Sequence, residues 1–232
     1  MAADSLFAGS QAPPAGAFSV PGFAWYGKLP SVGDFISRRM PYPLQQFWDH
    51  LCASGMESLK AGSNASGWDV WRGCPKWAFI LPAQPGIPLS QIGVWAPSCD
   101  RVGRNFPFLV TLPLPNDRIG AFMPNAANLG LAWGEVIAQA QMARYGIDEV
   151  DARLQRALAD VLMSPSSADD SERTLPQGMN PASLPWSDLS STFDGEGSES
   201  FWWSVPPAMT RFRARAYSGS FNGMFFLGLC DS

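Results

Sequence analysis

The side chains best placed to do chemistry lie in two loops. Asp100, Arg101 and Arg104 crowd around Gly103 within Trp95-Ala-Pro-Ser-Cys-Asp-Arg-Val-Gly-Arg-Asn-Phe-Pro107. A shorter echo, Trp25-Tyr-Gly-Lys-Leu-Pro-Ser-Val-Gly-Asp-Phe35, carries Gly33 and Asp34, with Arg38 just beyond. Carboxylates beside arginines can do acid–base work, bind an anion or brace a loop. Nucleophilic or acid–base catalysis also needs a positioned base and a group to orient it. The single histidine, His50, falls inside a helical stretch with no motif around it, so it reads as a packing or surface residue. Gly27-Lys28 and Gly103-Arg104 suggest phosphate loops, but neither fits G-x-x-x-x-G-K-[ST] or G-x-G-x-x-G. Cys52, Cys74, Cys99 and Cys230 contain no C-x-x-C pair, which speaks against a zinc ribbon or a redox motif. No cofactor or metal is expected. Three readings of the loops stay open: a brace that pins both loops to the scaffold, a surface that meets a protein partner, and a catalytic centre. Under the brace reading, the carboxylates accept backbone N–H groups and pair with the arginines, and truncating Asp100 or Arg101 destabilises the fold if that pair is buried.

The elements that must position these loops are rich in apolar residues. Hydrophobic residues make up 46% of the 232, with ten Trp and fifteen Phe, enough for a large aromatic core and too many for a disordered chain. A net charge of −4 provides no basic field for nucleic acid or an anionic membrane. Residues 1–22 lack the basic-then-apolar pattern of a secretory signal, and no run reaches a membrane span. Those features and four widely spaced thiols point to the reducing cytoplasm. Residues 1–22 are rich in Ala, Gly, Ser and Pro and are expected to be a disordered tail before one domain over 23–232.

Order should begin with a short aromatic strand at 23–29. Leu44, Phe47, Trp48, Leu51, Cys52, Met56 and Leu59 share one face of a helix over 41–61, with Gly62 as its stop. A short helical piece carries Trp68 and Trp71. Strands follow at 76–82, which is apolar on both faces and reads as central, at 91–96, and at 106–114 with prolines at its ends. The linking loops favour antiparallel pairing of neighbours. A helix over 125–145, ended by Gly146, precedes another for which Asp148 is the expected N-cap. Residues 164–199 are rich in Ser, Pro, Asp and Glu and read as a long polar loop anchored by Trp186. Glu199–Val205 is a strand, and residues 220–230 fit either a closing helix or a last strand.

In the strand over 210–217, alternation puts Arg211, Arg213, Arg215 and Tyr217 on one face. The arginine face is expected to be the solvent face, with an acidic or phosphorylated partner as the alternative. Trp202 and Trp203 point to opposite faces, so one should be core and the other is a candidate interface residue. The predicted architecture is α/β (α+β): an antiparallel sheet flanked by helices.

The series Trp25 to Pro41, Phe47-Trp-Asp49, Pro75-Lys-Trp-Ala-Phe79, Gly93-Val94, Pro97 to Pro107 and Phe201-Trp-Trp203 resembles the TagF (ImpM) family of bacterial type VI secretion accessory proteins. The resemblance implies a longin-like sandwich and a cytoplasmic, non-enzymatic regulator. It implies post-translational repression of the secretion apparatus through a forkhead-associated (FHA) scaffold protein. The family offers no catalytic residues to carry over. Gly33, Asp34, Ser98, Asp100, Arg101, Gly103 and Arg104 match positions that recur in it, without an individual role. With Arg38, Trp202 and Trp203 they form the candidate structural or partner-binding set. The alternatives are a passive subunit of the apparatus, and a hydrolase or nucleotide-binding protein working from the 30–38 and 97–105 loops.

Overall fold

The computed structural model describes residues 22–61, 67–163, 184–205 and 212–230. The expected disordered tail, the Gly62 stop, the side chain of Trp68 and most of the 164–199 loop lie outside the described residues. In chain order the elements are β1 (Ala24–Gly27), β2 (Ile36–Arg38), α1 (Tyr42–Ala61), α2 (Gly67–Gly73), β3 (Lys76–Leu81), β4 (Ser90–Ala96) and β5 (Phe108–Leu114). Then come α3 (Asn116–Phe122), a 3-10 turn at Met123–Asn125, α4 (Ala126–Ala143), α5 (Ile147–Met163), α6 (Leu189–Thr192), β6 (Glu199–Val205), β7 (Ala214–Ser218) and α7 (Gly223–Cys230). The strands form one seven-stranded sheet in the order β2-β1-β5-β4-β3-β6-β7. Every pairing is antiparallel.

Both faces of this sheet are covered, which is why its central strands read as unbroken apolar runs. Along β3, Trp77, Phe79 and Leu81 join one core with Trp48, Met56 and Leu59 of α1, Trp71 of α2 and Phe225, Phe226 and Leu229 of α7. Ala78 and Ile80 face the other core, built with Leu129, Trp133 and Ile137 of α4 and Val150, Leu154 and Leu158 of α5. The result is a helix–sheet–helix sandwich. Of the two candidates for residues 220–230, the helix is the one formed.

Several expectations need correction. Trp202 and Trp203 do point to opposite faces, but both rings are buried, one in each core. Neither is available to a partner, because helices cover both faces. The arginine face of β7 is turned inward: Arg213, Arg215 and Tyr217 are half-buried while Ala214 and Ala216 are exposed. Arg215 lies over the Trp77 ring at 5.3 Å and Tyr217 packs on Phe225, since long amphipathic side chains can roof an aromatic core. Arg211 lies outside the described residues. α4 ends at Ala143, before Gly146, with Arg144 left-handed at φ 53°. α5 starts at Ile147, where the Gly146 carbonyl accepts the Val150 N–H at 3.0 Å. Asp148 therefore sits inside its first turn, where a carboxylate suits the helix dipole, and pairs with Arg38 at 2.7 Å instead of capping.

Candidate functional site

The site grows from the end of β1. Gly27 has φ 129°, and a Cβ there would fall 2.1 Å from the Pro107 carbonyl oxygen, so only glycine fits. Its close approach lets the Lys28 N–H donate to Pro107 O at 3.2 Å and carries Lys28 beneath the β4–β5 loop. Lys28 is 5% exposed. Its ammonium group donates to Asp100 Oδ2 at 3.1 Å.

Asp100 organises the loop above. Its Oδ1 accepts the N–H groups of Val102 at 3.0 Å and Arg104 at 2.9 Å. Its Oδ2 also accepts from Arg104 Nε at 2.7 Å. The Asp100 carbonyl takes the Gly103 N–H at 3.0 Å, a tight turn that needs the positive φ of Gly103, 85°. A bridge between Cys99 and Asn105 closes the neck of this knot. Buried carboxylates normally resist ionisation. Burial does push Asp100 upward, but the Arg104 N–H, the Lys28 ammonium and the Arg104 side chain overcome it and hold the carboxyl far below the usual carboxylate range.

The knot also grips the first loop. Arg104 Nη2 donates to Gly33 O at 2.6 Å, the Arg101 N–H to Val32 O at 2.7 Å, and Ser98 Oγ to Lys28 O at 2.7 Å. A Cβ on Gly33 would meet the Arg101 guanidinium at 3.3 Å.

The remaining predicted residues separate. Asp34 is exposed and, among the described residues, accepts only its neighbour's N–H, that of Phe35, at 2.8 Å. Arg38 leaves for Asp148 on α5. Arg101 is exposed and pairs with no carboxylate among the described residues. The expected buried Asp100–Arg101 pair is replaced by Asp100 with Lys28 and Arg104, because the tight turn points Arg101 outward while Lys28 rises from below. His50 is exposed on α1 and takes no part in these hydrogen bonds.

Residues not singled out in the sequence complete the site. Phe35, 43% exposed, lies under the Lys28 ammonium, 4.7 Å from its ring centroid, and meets Phe106 edge-on. Val102, at the tip of the knot, is 68% exposed. Beside the knot, an open cleft of about 650 Å³ is lined by Lys28, Lys60, Arg72, Gly103, Arg104 and Asn105. In sequence, Lys28 reads only as half of a Gly-Lys pair, and Lys60 and Arg72 as ordinary helix-end cations. The arrangement offers fixed cations and exposed apolar side chains around a carboxylate already committed to four hydrogen bonds.

The sequence pattern of the TagF N-terminal domain, type VI secretion system-associated, matches residues 24–161. The chain belongs to this family. The two loops of the TagF knot both lie within the matched span, while β6, β7 and α7 lie beyond it. No curated protein matches the chain. Among solved structures, this TagF-family fold is similar to the crystal structure of PA0076 from Pseudomonas aeruginosa PAO1, determined at 2.05 Å resolution. The TM-score is 0.63 and the identity 26%, over 90% of this chain and 94% of that one. The share of the chain covered is larger than the span of the family match. Among the described residues, no helix is long and apolar enough to cross a membrane.

Proposed function

We propose that this type VI secretion-associated protein is a non-catalytic cytoplasmic regulator. It restrains assembly of the apparatus by docking on its FHA-domain scaffold through the outer surface of the knot. One observation carries the docking site. Asp100 is locked beneath the surface by four hydrogen bonds, while Arg101, Val102 and Phe35 stand exposed above it. Arginine and aromatic side chains on a preorganised base are favoured in interfaces. The family resemblance supplies the partner and the repressive sense.

The test is capture of the cognate FHA protein by the purified chain, with Arg101→Glu and Val102→Asp as surface variants. Both should stay folded and lose capture, and overexpression of the native chain should suppress secretion. Undiminished capture by both variants would remove the docking site. Secretion indifferent to both deletion and overexpression would remove the regulatory role. Stoichiometric recovery with assembled secretion particles would favour a structural subunit instead.

A further inference from the structure

Three of the four cysteines, Cys52, Cys74 and Cys230, are free and buried in the core that α1 and α7 share. Cys74 follows α2, and Cys230 is the last residue of α7. The last carbonyls of a helix have no partner within it. At the end of α7, Leu229 O accepts the Trp77 indole N–H at 2.9 Å and the Cys74 thiol at 3.5 Å. The second bond sets the Cys74 sulfur beside the peptide that leads into Cys230, and the two thiols also hydrogen-bond to each other. Cys52 is turned instead to the Trp95 indole. α7 has only eight residues, and its hold on the sheet is aromatic: Phe226 stacks on Trp71 at 6.1 Å and meets Trp95 edge-on at 5.2 Å.

We propose that Cys74 and Cys230 are a reversible disulfide pair, and that closing it locks α7 over the aromatic core. The oxidant is a peroxide. One sulfur, as thiolate, attacks an oxygen of hydrogen peroxide; the O–O bond breaks, a sulfenic acid forms and a first water leaves. The other sulfur displaces the sulfenic hydroxyl, which makes the S–S bond and a second water. Each thiol proton ends in one of the two waters, and two electrons pass from the sulfurs to the peroxide. Closure leaves no carbonyl stranded, because Leu229 O keeps the Trp77 donor when the Cys74 proton has gone. Burial raises the Cys74 thiol, and buried thiols react slowly. Oxidation therefore waits on openings of α7, and short terminal elements open at the low end of the local free-energy range. Once formed, the link ties α7 to the α2–β3 junction. Disulfides in reducing compartments are mostly transient and redox-sensing, which suits a pair that stays reduced until oxidant arrives. The inference is independent of the docking reading.

The experiment uses the full chain carrying Cys99→Ser, which removes the half-exposed thiol. It is held in hydrogen peroxide for several times the period that consumes Cys99 in the native chain. Remaining thiols are then blocked, and the digest is mapped by mass spectrometry with and without dithiothreitol. An intramolecular link between the Cys74 and Cys230 peptides should appear and be reversed by the reductant. Hydrogen exchange of the α7 amides should be slower in the oxidised chain than in the reduced one by about tenfold or more. Cys74→Ser and Cys230→Ser should each abolish both effects, and Cys52→Ser should keep both. Cys74 and Cys230 recovered as free thiols, or oxidised to sulfinic acids with no link, would overturn the pairing, as would a link from Cys230 to Cys52. A Cys74–Cys230 link that leaves α7 exchange unchanged would overturn the lock.

Discussion

Removing the Asp100 carboxylate should cost far more than its exposed neighbours suggest. In Asp100→Ala, Arg104 loses a partner, but its side chain is 61% exposed and can turn to water. Lys28 cannot, because its side chain is 7% exposed and Asp100 is its only anionic partner among the described residues. Stranding one member of a buried pair costs about 3–5 kcal/mol, and two loop N–H groups lose their acceptor as well. For a chain of this size that corresponds to a fall in Tm of roughly 6–20 °C. Asp100→Asn should be little better: one amide oxygen can still serve the loop, but an NH2 then faces the donors of Lys28 and Arg104. Lys28→Met alone should cost about 1.5–3 kcal/mol, the loss of one charged hydrogen bond. Combined with Asp100→Ala it should recover about 0.5–3 kcal/mol relative to additivity. Urea unfolding followed by tryptophan fluorescence reads all four. The carboxyl is held well below its unfolded value, so its contribution is complete above about pH 4 and fades only as the solution becomes more acidic. Asp100→Asn should therefore flatten the acid limb of stability against pH. A cost under about 1 kcal/mol for Asp100→Ala, or strict additivity with Lys28→Met, would refute the buried-pair account.

Asp151 on α5 accepts the Trp25 indole N–H at 2.7 Å and a two-point contact from Arg39. Arg39 lowers its pKa most, so Asp151→Asn should cost about 1–3 kcal/mol at neutral pH and less in acid, as measured by urea unfolding. A Cβ on Gly55 would fall 2.0 Å from Cγ of Phe226, where α1 crosses α7. Gly55→Ala should thus cost about 1–3 kcal/mol, part of it recovered by Phe226→Leu. Burial pushes the Cys52 thiol up to about 12 and raises Cys74 as well. Only Cys99 is half-exposed, so a thiol-specific reagent should modify it first in the folded chain, and Cys99→Ser should abolish that fast phase.

The parts legible in the sequence are those where one strong pattern had one structural solution. The 3.6-residue stripe of α1 and the apolar runs of β3 and β4 left little choice of element, and β6 has the bounds its aromatic run implied. Alternation also separated the faces of β6 and β7 correctly, but it cannot say what covers each face. With helices on both sides, Trp202 and Trp203 are equally buried. With Trp77 needing a roof near the sheet edge, arginine proved a better inner residue than alanine. β2 was not legible because Ile36-Ser-Arg38 is three residues of mixed polarity, held as an edge strand only by pairing with β1.

The knot was legible as a cluster of charges and illegible as a circuit. Local spacing offers Asp100 the adjacent Arg101, yet its buried counter-charge is Lys28, 72 residues earlier in the chain. That connection exists only because β1 pairs with β5 and Gly27 lets the two backbones touch at Pro107. An apolar replacement for such a buried pair can be as stable, but it would lack direction. Asp100 accepts from below and from both sides at once, so the loop can close in only one way over Lys28. The same bonds that fix Arg104 against Gly33 also hold it at the edge of the cationic cleft. In this fold, the burial of one carboxylate makes the knot rigid.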